Sequence, residues 1–196
     1  MQTLFTRRSF VLSAVGSALA GLGSSRADQA PIDVVVSPSR IARVGARQFH
    51  CAIGRAGIRH DKHEGDGATP AGAWPLREVL YRADRLARPV TQLPVRALAQ
   101  DDGWCDAPGD PQYNRNVRMP YRASAEALWR GDHLYDLIVV VGYNDAPVVP
   151  GAGSAMFLHV ARPGYKPTAG CIAFSRANLL RILSKVDERS RLVVQA

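Results

Sequence analysis

The sequence predicts a mostly-β domain, a sandwich or partly closed barrel, with one helix near its C-terminal end. Three observations carry this. Short apolar runs recur at turn-bounded spacing; Gly, Pro, Asp and Asn cluster between them; and helical spacing of apolar residues appears in two places only.

The first 27 residues differ in character from the rest of the chain. "MQTLFTRRS" is short and basic, "FVLSAVGSALAGLG" is an apolar run of small residues, and "SSRA" ends on small residues suited to a cleavage point after Ala27. This reads as a signal peptide, and Arg7 and Arg8 directly before Ser9, Phe10, Val11 and Leu12 match the twin-arginine export pattern. The apolar run of about 14 residues falls short of the roughly 20 that span a bilayer as a helix, so no stable membrane anchor is expected. The expected product is an exported, periplasmic chain of residues 28–196, long enough for one domain with its own core. Losing Arg7, Arg8 and Arg26 lowers the formal charge from +8 to +5. A basic exported chain without a lysine-rich run or an aromatic platform points to an anionic cell envelope and not to nucleic acid.

Within that domain "IDVVV" (32–36), "RQFHCAI" (47–53), "YDLIVVV" (135–141), "AMFLHV" (155–160) and "RLVVQ" (191–195) read as strands. "GDGATPAG", "DDGWCDAPGDPQYNRNVRMPYR" (101–122) and "GYNDAPVVPGAG" read as loops. "SRANLLRILSKV" reads as the helix, with Ser175 as N-cap and Leu179, Ile182 and Leu183 on one side. "SAEALWR" (124–130) is a second, shorter helix candidate.

Three cysteines in an exported chain leave at least one unpaired. Cys51 and Cys105 either pair or remain two buried free thiols. Cys171 follows a Thr-x-Gly, with His159 twelve positions upstream. A free thiol is only a few per cent ionised at neutral pH, so a nucleophilic cysteine needs an imidazole to take its proton. A strand-loop-strand return brings His159 and Cys171 together, and the amides of Gly170 and Cys171 suit a tetrahedral oxyanion. The helix starting at Ser175 is expected to favour the thiolate. On spacing alone, the competing reading is a small core cysteine and a satisfied strand histidine. "HDKHE" (60–64) lacks metalloprotease spacing and runs into Gly-Asp-Gly, so it reads as a solvated loop and no metal is expected.

"HVARPGYKPTAGCIAF" and, upstream, "HEGDGATPAGAWPL" resemble two signature segments of the L,D-transpeptidase (YkuD-type) catalytic domain. The resemblance covers roughly residues 32–195. It implies a YkuD-like β fold and a cysteine acyltransferase without metal or organic cofactor, acting on donor and acceptor stem peptides of peptidoglycan; a monomer is expected, though the sequence does not fix the oligomeric state. It makes Cys171 the nucleophile, His159 the base, Gly170 part of the oxyanion site and Thr168 a loop-fixing or substrate-facing hydroxyl, and has the Val160 carbonyl orient the imidazole. Asp66 and Thr69 would shape the cleft. Tyr143 and Asn144 would face it. Arg118, among Arg115 and Arg122, would meet stem carboxylates. Ala169 and Ala173 stand where the family pattern has His and Arg, and the His-to-Cys interval is short. With "GSA-x-FLH" and "PT-x-GC", the chain is most similar to a divergent proteobacterial branch associated with 1,3-type crosslinks. A hydrolase on the same scaffold, carboxypeptidase or amidase, and a non-catalytic wall-binding module are the alternatives.

Overall fold

A computed structural model describes residues 30–196, so the expected signal peptide at 1–27 lies outside the described residues. Residues 31–196 form one unit. The first strands are Val34–Val36 (β1), Ile41–Val44 (β2), Arg47–His50 (β3), Ile58–Arg59 (β4) and Thr69–Pro70 (β5). Next in the chain is a long strand, Gly72–Tyr81 (β6), then Val95–Ala97 (β7), Asp102–Cys105 (β8), Asn116–Arg118 (β9) and Ala125–Ala127 (β10). The C-terminal part holds Leu137–Val141 (β11), Phe157–Val160 (β12), Ile172–Phe174 (β13), the helix Arg176–Leu183 (α1) and Arg191–Val194 (β14).

The main sheet runs β13-β12-β11-β6-β14-β1-β2-β3, with β7 beside β6. Its two ends meet. Ala52, just past β3, exchanges main-chain hydrogen bonds with Ala173 of β13, at 2.8 and 2.9 Å, and the sheet is nearly closed into a barrel. Strand β6 serves two partners, pairing with β14 over Gly72–Pro75 and with β11 over Leu76–Tyr81. Pro75 has no N–H to give and sits at the changeover, where its carbonyl accepts from Gly142 N–H at 2.8 Å.

Strands β11 and β12 are buried along their whole length, because both faces of this part of the sheet are covered. That explains the unbroken apolar run "LIVVV". On one face Val139, Leu158, Ile172 and Phe174 pack with Leu179, Ile182 and Leu183 of α1. On the other, Ile138, Val140 and Phe157 join Leu80, Leu98, Leu128 and Tyr135. Each such buried side chain contributes about 1.5–3 kcal/mol. Ser175 caps α1, its Oγ accepting from Asn178 N–H at 3.2 Å.

Three expectations fail here. Residues 124–130 are not helical: Ala125–Ala127 is strand β10, antiparallel to β8 with Ala125 opposite Cys105. Ala and Glu favour helices, but the ladder to β8 overrides a propensity worth only tenths of a kcal/mol per residue. Residues 101–122 are not one irregular loop, since they contain β8 and β9 of a three-stranded sheet ordered β10-β8-β9. Cys105 is therefore a buried strand residue, and Cys51 and Cys105 are both free. The "GDGATPAG" stretch also forms part of the β structure, with Thr69–Pro70 parallel to Ile58–Arg59.

Candidate active site

The site grows from the parallel pair β12 and β13. His159 lies opposite Ala173, and Cys171 precedes Ala173 by two residues, so the alternation of strand side chains puts His159 and Cys171 on the same face. That face carries the Phe157 cluster, against which Cys171 packs. Both residues line one cavity of about 730 Å³. Its walls come from the 162–171 loop, the 55–70 segment, Glu126 of β10 and the turn around Tyr135.

Imidazole and thiol are both held uncharged. His159 is 6% exposed, and burial pushes its pKa down to about 4 against the pull of the Val160 carbonyl, with Arg162 and Arg130 adding to the fall. Its Nδ1 lies 2.9 Å from that carbonyl, which can only accept, so Nδ1 carries the proton and Nε2 is left as the acceptor. Cys171 keeps partial solvent access, yet its surroundings push the thiol up to about 12, burial first and the Glu126 carboxylate next. The N–H groups of Phe157 and Cys171 itself and the Lys62 ammonium act the other way, favouring negative charge on sulfur. The thiol donates to the Ala155 carbonyl at 3.2 Å. The expected thiolate from the helix end is therefore overturned: strand β13 separates Cys171 from α1, and a helix terminus acts over about one turn.

The loop that carries Cys171 is fixed by two threonines. Thr168 lines the cavity, and its Oγ1 donates to the Cys171 carbonyl at 2.5 Å while accepting from Gly170 N–H at 3.1 Å. The Gly170 amide is thus already engaged. Gly170 has φ +146°, and a Cβ there would lie 2.9 Å from the Ala68 carbonyl oxygen, so only glycine fits. Thr69 is fully buried; its Oγ1 accepts from Gly54 N–H and donates to the Gly170 carbonyl, both at 2.8 Å. It clamps the loop from behind and does not line the cavity.

The other sequence-predicted residues divide. Tyr143 lines the cavity, with its hydroxyl donating to the Ala152 carbonyl and its ring edge-on to Trp74. Asn144 is spent on its own turn, its amide donating to Val149 and Gly153 carbonyls at 2.9 Å each. Asp66 holds the 62–68 turn; burial works to raise its carboxyl, but bonds from His63 N–H, Lys62 and Ala68 N–H outweigh it and hold the pKa at about 2. Arg118 is exposed, pairs with Asp101 and Asp102 at 2.7 and 3.3 Å, and does not line the cavity. The basic side chains that do line it are Arg55, Lys62, Arg130, Arg162 and Lys166. Glu126, Tyr135 and these cations were not legible as a group, because they are scattered over 55–166 and meet only through the fold. Among the described residues no His, Cys, Asp and Glu cluster is suited to a metal ion.

A nearly closed β-barrel with a cysteine and a histidine facing one cavity defines a protein with a cysteine–histidine site. More narrowly, the family model for the L,D-transpeptidase catalytic domain, YkuD, matches residues 32–194, and the chain belongs to that family. No curated protein matches it in sequence. Among solved structures it is similar to a mutant form of the helical cell shape determining protein Pgp2 from Campylobacter jejuni, at 16% identity and a TM-score of 0.44. That match covers 86% of this chain and 48% of the other, so the chain spans about half the length of its neighbour.

Proposed function

We propose that this protein is a periplasmic L,D-transpeptidase that crosslinks peptidoglycan stem peptides through a thioester on Cys171. The observation that carries the reading is the shared cavity of Cys171 and His159, presented from adjacent parallel strands in a chain of this family. Because thiol and imidazole are both neutral at rest, the thiol gives its proton to His159 Nε2 as sulfur attacks the donor carbonyl, not beforehand. This requires the thiol to turn from the Ala155 carbonyl towards the ring. The Cys171 N–H, which already favours negative charge beside it, stabilises the oxyanion; the Gly170 amide is committed to Thr168. Protonated His159 then releases the leaving amine, and the amine of a second stem resolves the thioester. Of the cavity cations, Arg55, Arg162 and Lys166 enter no ion pair among the described residues and suit the carboxylates of stem peptides, whereas Lys62 and Arg130 are paired with Asp66 and Asp132.

In its finer form the reading is 1,3-type, with cleavage after the L-Ala at stem position 1, and export by the twin-arginine route. It is supported by the sequence elements "GSAMFLH" and "PTAGC" and by Arg7 and Arg8. No helix among the described residues is long and apolar enough to cross a membrane. The test is muropeptide analysis after incubating the purified 28–196 chain with sacculi. New dimers that disappear with Cys171→Ala support transfer. Trimmed monomers alone identify a hydrolase, and dimers that persist in the variant reject the catalytic assignment.

A further inference from the structure

A transpeptidase must present an amine, not water, to its thioester, and that amine arrives protonated. His159 is buried and uncharged, so it offers that ammonium no counter-charge. A carboxylate lines the same cavity. Glu126 comes from β10, near enough to Cys171 for its charge to oppose a thiolate there, and is fixed by Tyr135, whose hydroxyl donates to Oε1 at 2.8 Å. The Tyr135 ring in turn meets the His159 ring edge-on, with centroids 5.4 Å apart, so carboxylate, phenol and imidazole form one connected wall. The other carboxylate oxygen, Oε2, has no hydrogen-bond donor among the described residues. Arg130 forms a long ion pair with the carboxylate, Nη1 lying 3.8 Å from Oε1, but its fork is committed to Asp132 at 2.9 and 2.7 Å. Asp106 lines the same cavity, and its Oδ1 is buried without a partner among the described residues. A half-buried carboxylate with an unused oxygen, beside a second unsatisfied one, fits a cationic ligand.

Resting on the transpeptidase reading, we propose that Glu126, positioned by Tyr135 and backed by Asp106, is the acceptor-recruiting residue that receives the ammonium group of the second stem peptide. The ammonium gives one proton to Glu126. The freed amine attacks the thioester carbon, the C–N bond forms and the C–S bond breaks. The second amine proton passes through His159 to the departing sulfur, which restores the thiol, and Glu126 later returns its proton to water.

The test is the partition of the acyl-enzyme, a ratio independent of how fast it forms. Purified enzyme is incubated with sacculi, and the ratio of crosslinked dimer to hydrolysed monomer is measured. Glu126→Gln is expected to lower that ratio about tenfold, as for loss of a hydrogen bond to a charged group. Hydroxylamine, uncharged at neutral pH, needs no carboxylate, so its capture of the acyl-enzyme relative to water should stay as in the wild type. Glu126→Asp should restore part of the dimer ratio. If Glu126→Gln does not accumulate folded, Tyr135→Phe reads the same ratio and should lower it less. An unchanged dimer ratio, or a parallel fall in hydroxylamine capture, overturns the proposal while leaving the transpeptidase reading intact. Absence of any acyl-enzyme in the wild type overturns both.

Discussion

Replacing Thr69 by Ala isolates the contribution of one hydroxyl to the loop that carries Cys171. The Thr69 Oγ1 joins three segments: it accepts from Gly54 N–H and donates to the Gly170 carbonyl, both at 2.8 Å, in a fully buried position. The alanine variant leaves a buried donor and a buried acceptor without partners. Each costs about 1–3 kcal/mol when unsatisfied, so the change should destabilise the chain by about 2–6 kcal/mol. In a domain of this size that lowers Tm by about 4–24 °C. The effect should also reach the chemistry, since Gly170 precedes Cys171, the proposed nucleophile, and a shift of about 1 Å can cost about a hundredfold in rate. The assay is urea unfolding of both Thr69→Ala and Thr69→Ser, alongside acylation of Cys171 by stem peptide. Serine keeps the hydroxyl and should retain most of both. Equal midpoints for wild type, serine and alanine variants would refute the reasoning.

Three further outcomes are expected of the same structure. Gly170→Ala should cost at least about 2 kcal/mol and abolish acylation, because φ +146° is closed to alanine and its Cβ meets the Ala68 oxygen; unfolding and intact-mass assays read both effects. His159 is held at about 4 against an ordinary value of 6.5, so the unfolded chain binds the extra proton first as pH falls; stability should drop by about 3 kcal/mol between pH 6.5 and pH 4, and this slope should be absent in His159→Gln. The acid limb of acylation should likewise fall near pH 4, measured as the initial rate of adduct formation. Ser175→Ala removes the cap of α1 and should cost about 1 kcal/mol in urea unfolding without changing the acyl-enzyme partition.

The elements legible in the sequence are those whose pattern and burial agree. "LIVVV" and "FLHV" are apolar throughout because both faces are covered, and Leu179, Ile182 and Leu183 are the residues α1 buries. Strand β6 was hidden by Gly72 and Pro75, which are tolerated where the strand changes partners. Strands β8, β9 and β10 are short and polar and exist through pairing across the 102–127 region, which local propensity does not report. At the site, Cys171 and His159 stand out by residue type and by the segments around them. The state of their protons does not, because it depends on how deeply the fold buries them. Likewise Arg118 carries a charge that suits a ligand but is spent on Asp101 and Asp102, whereas Glu126 and Tyr135 face the cavity, Glu126 from a segment that reads as a helix.

The most direct test of the central claim is intact-protein and peptide mass spectrometry of the 28–196 chain trapped with a donor muropeptide. The expected result is a covalent adduct on the peptide containing Cys171, lost in Cys171→Ala, with a mass that ends at L-Ala of the stem. Crosslinks formed with no adduct on Cys171, or an adduct on Cys51 or Cys105 instead, would contradict it.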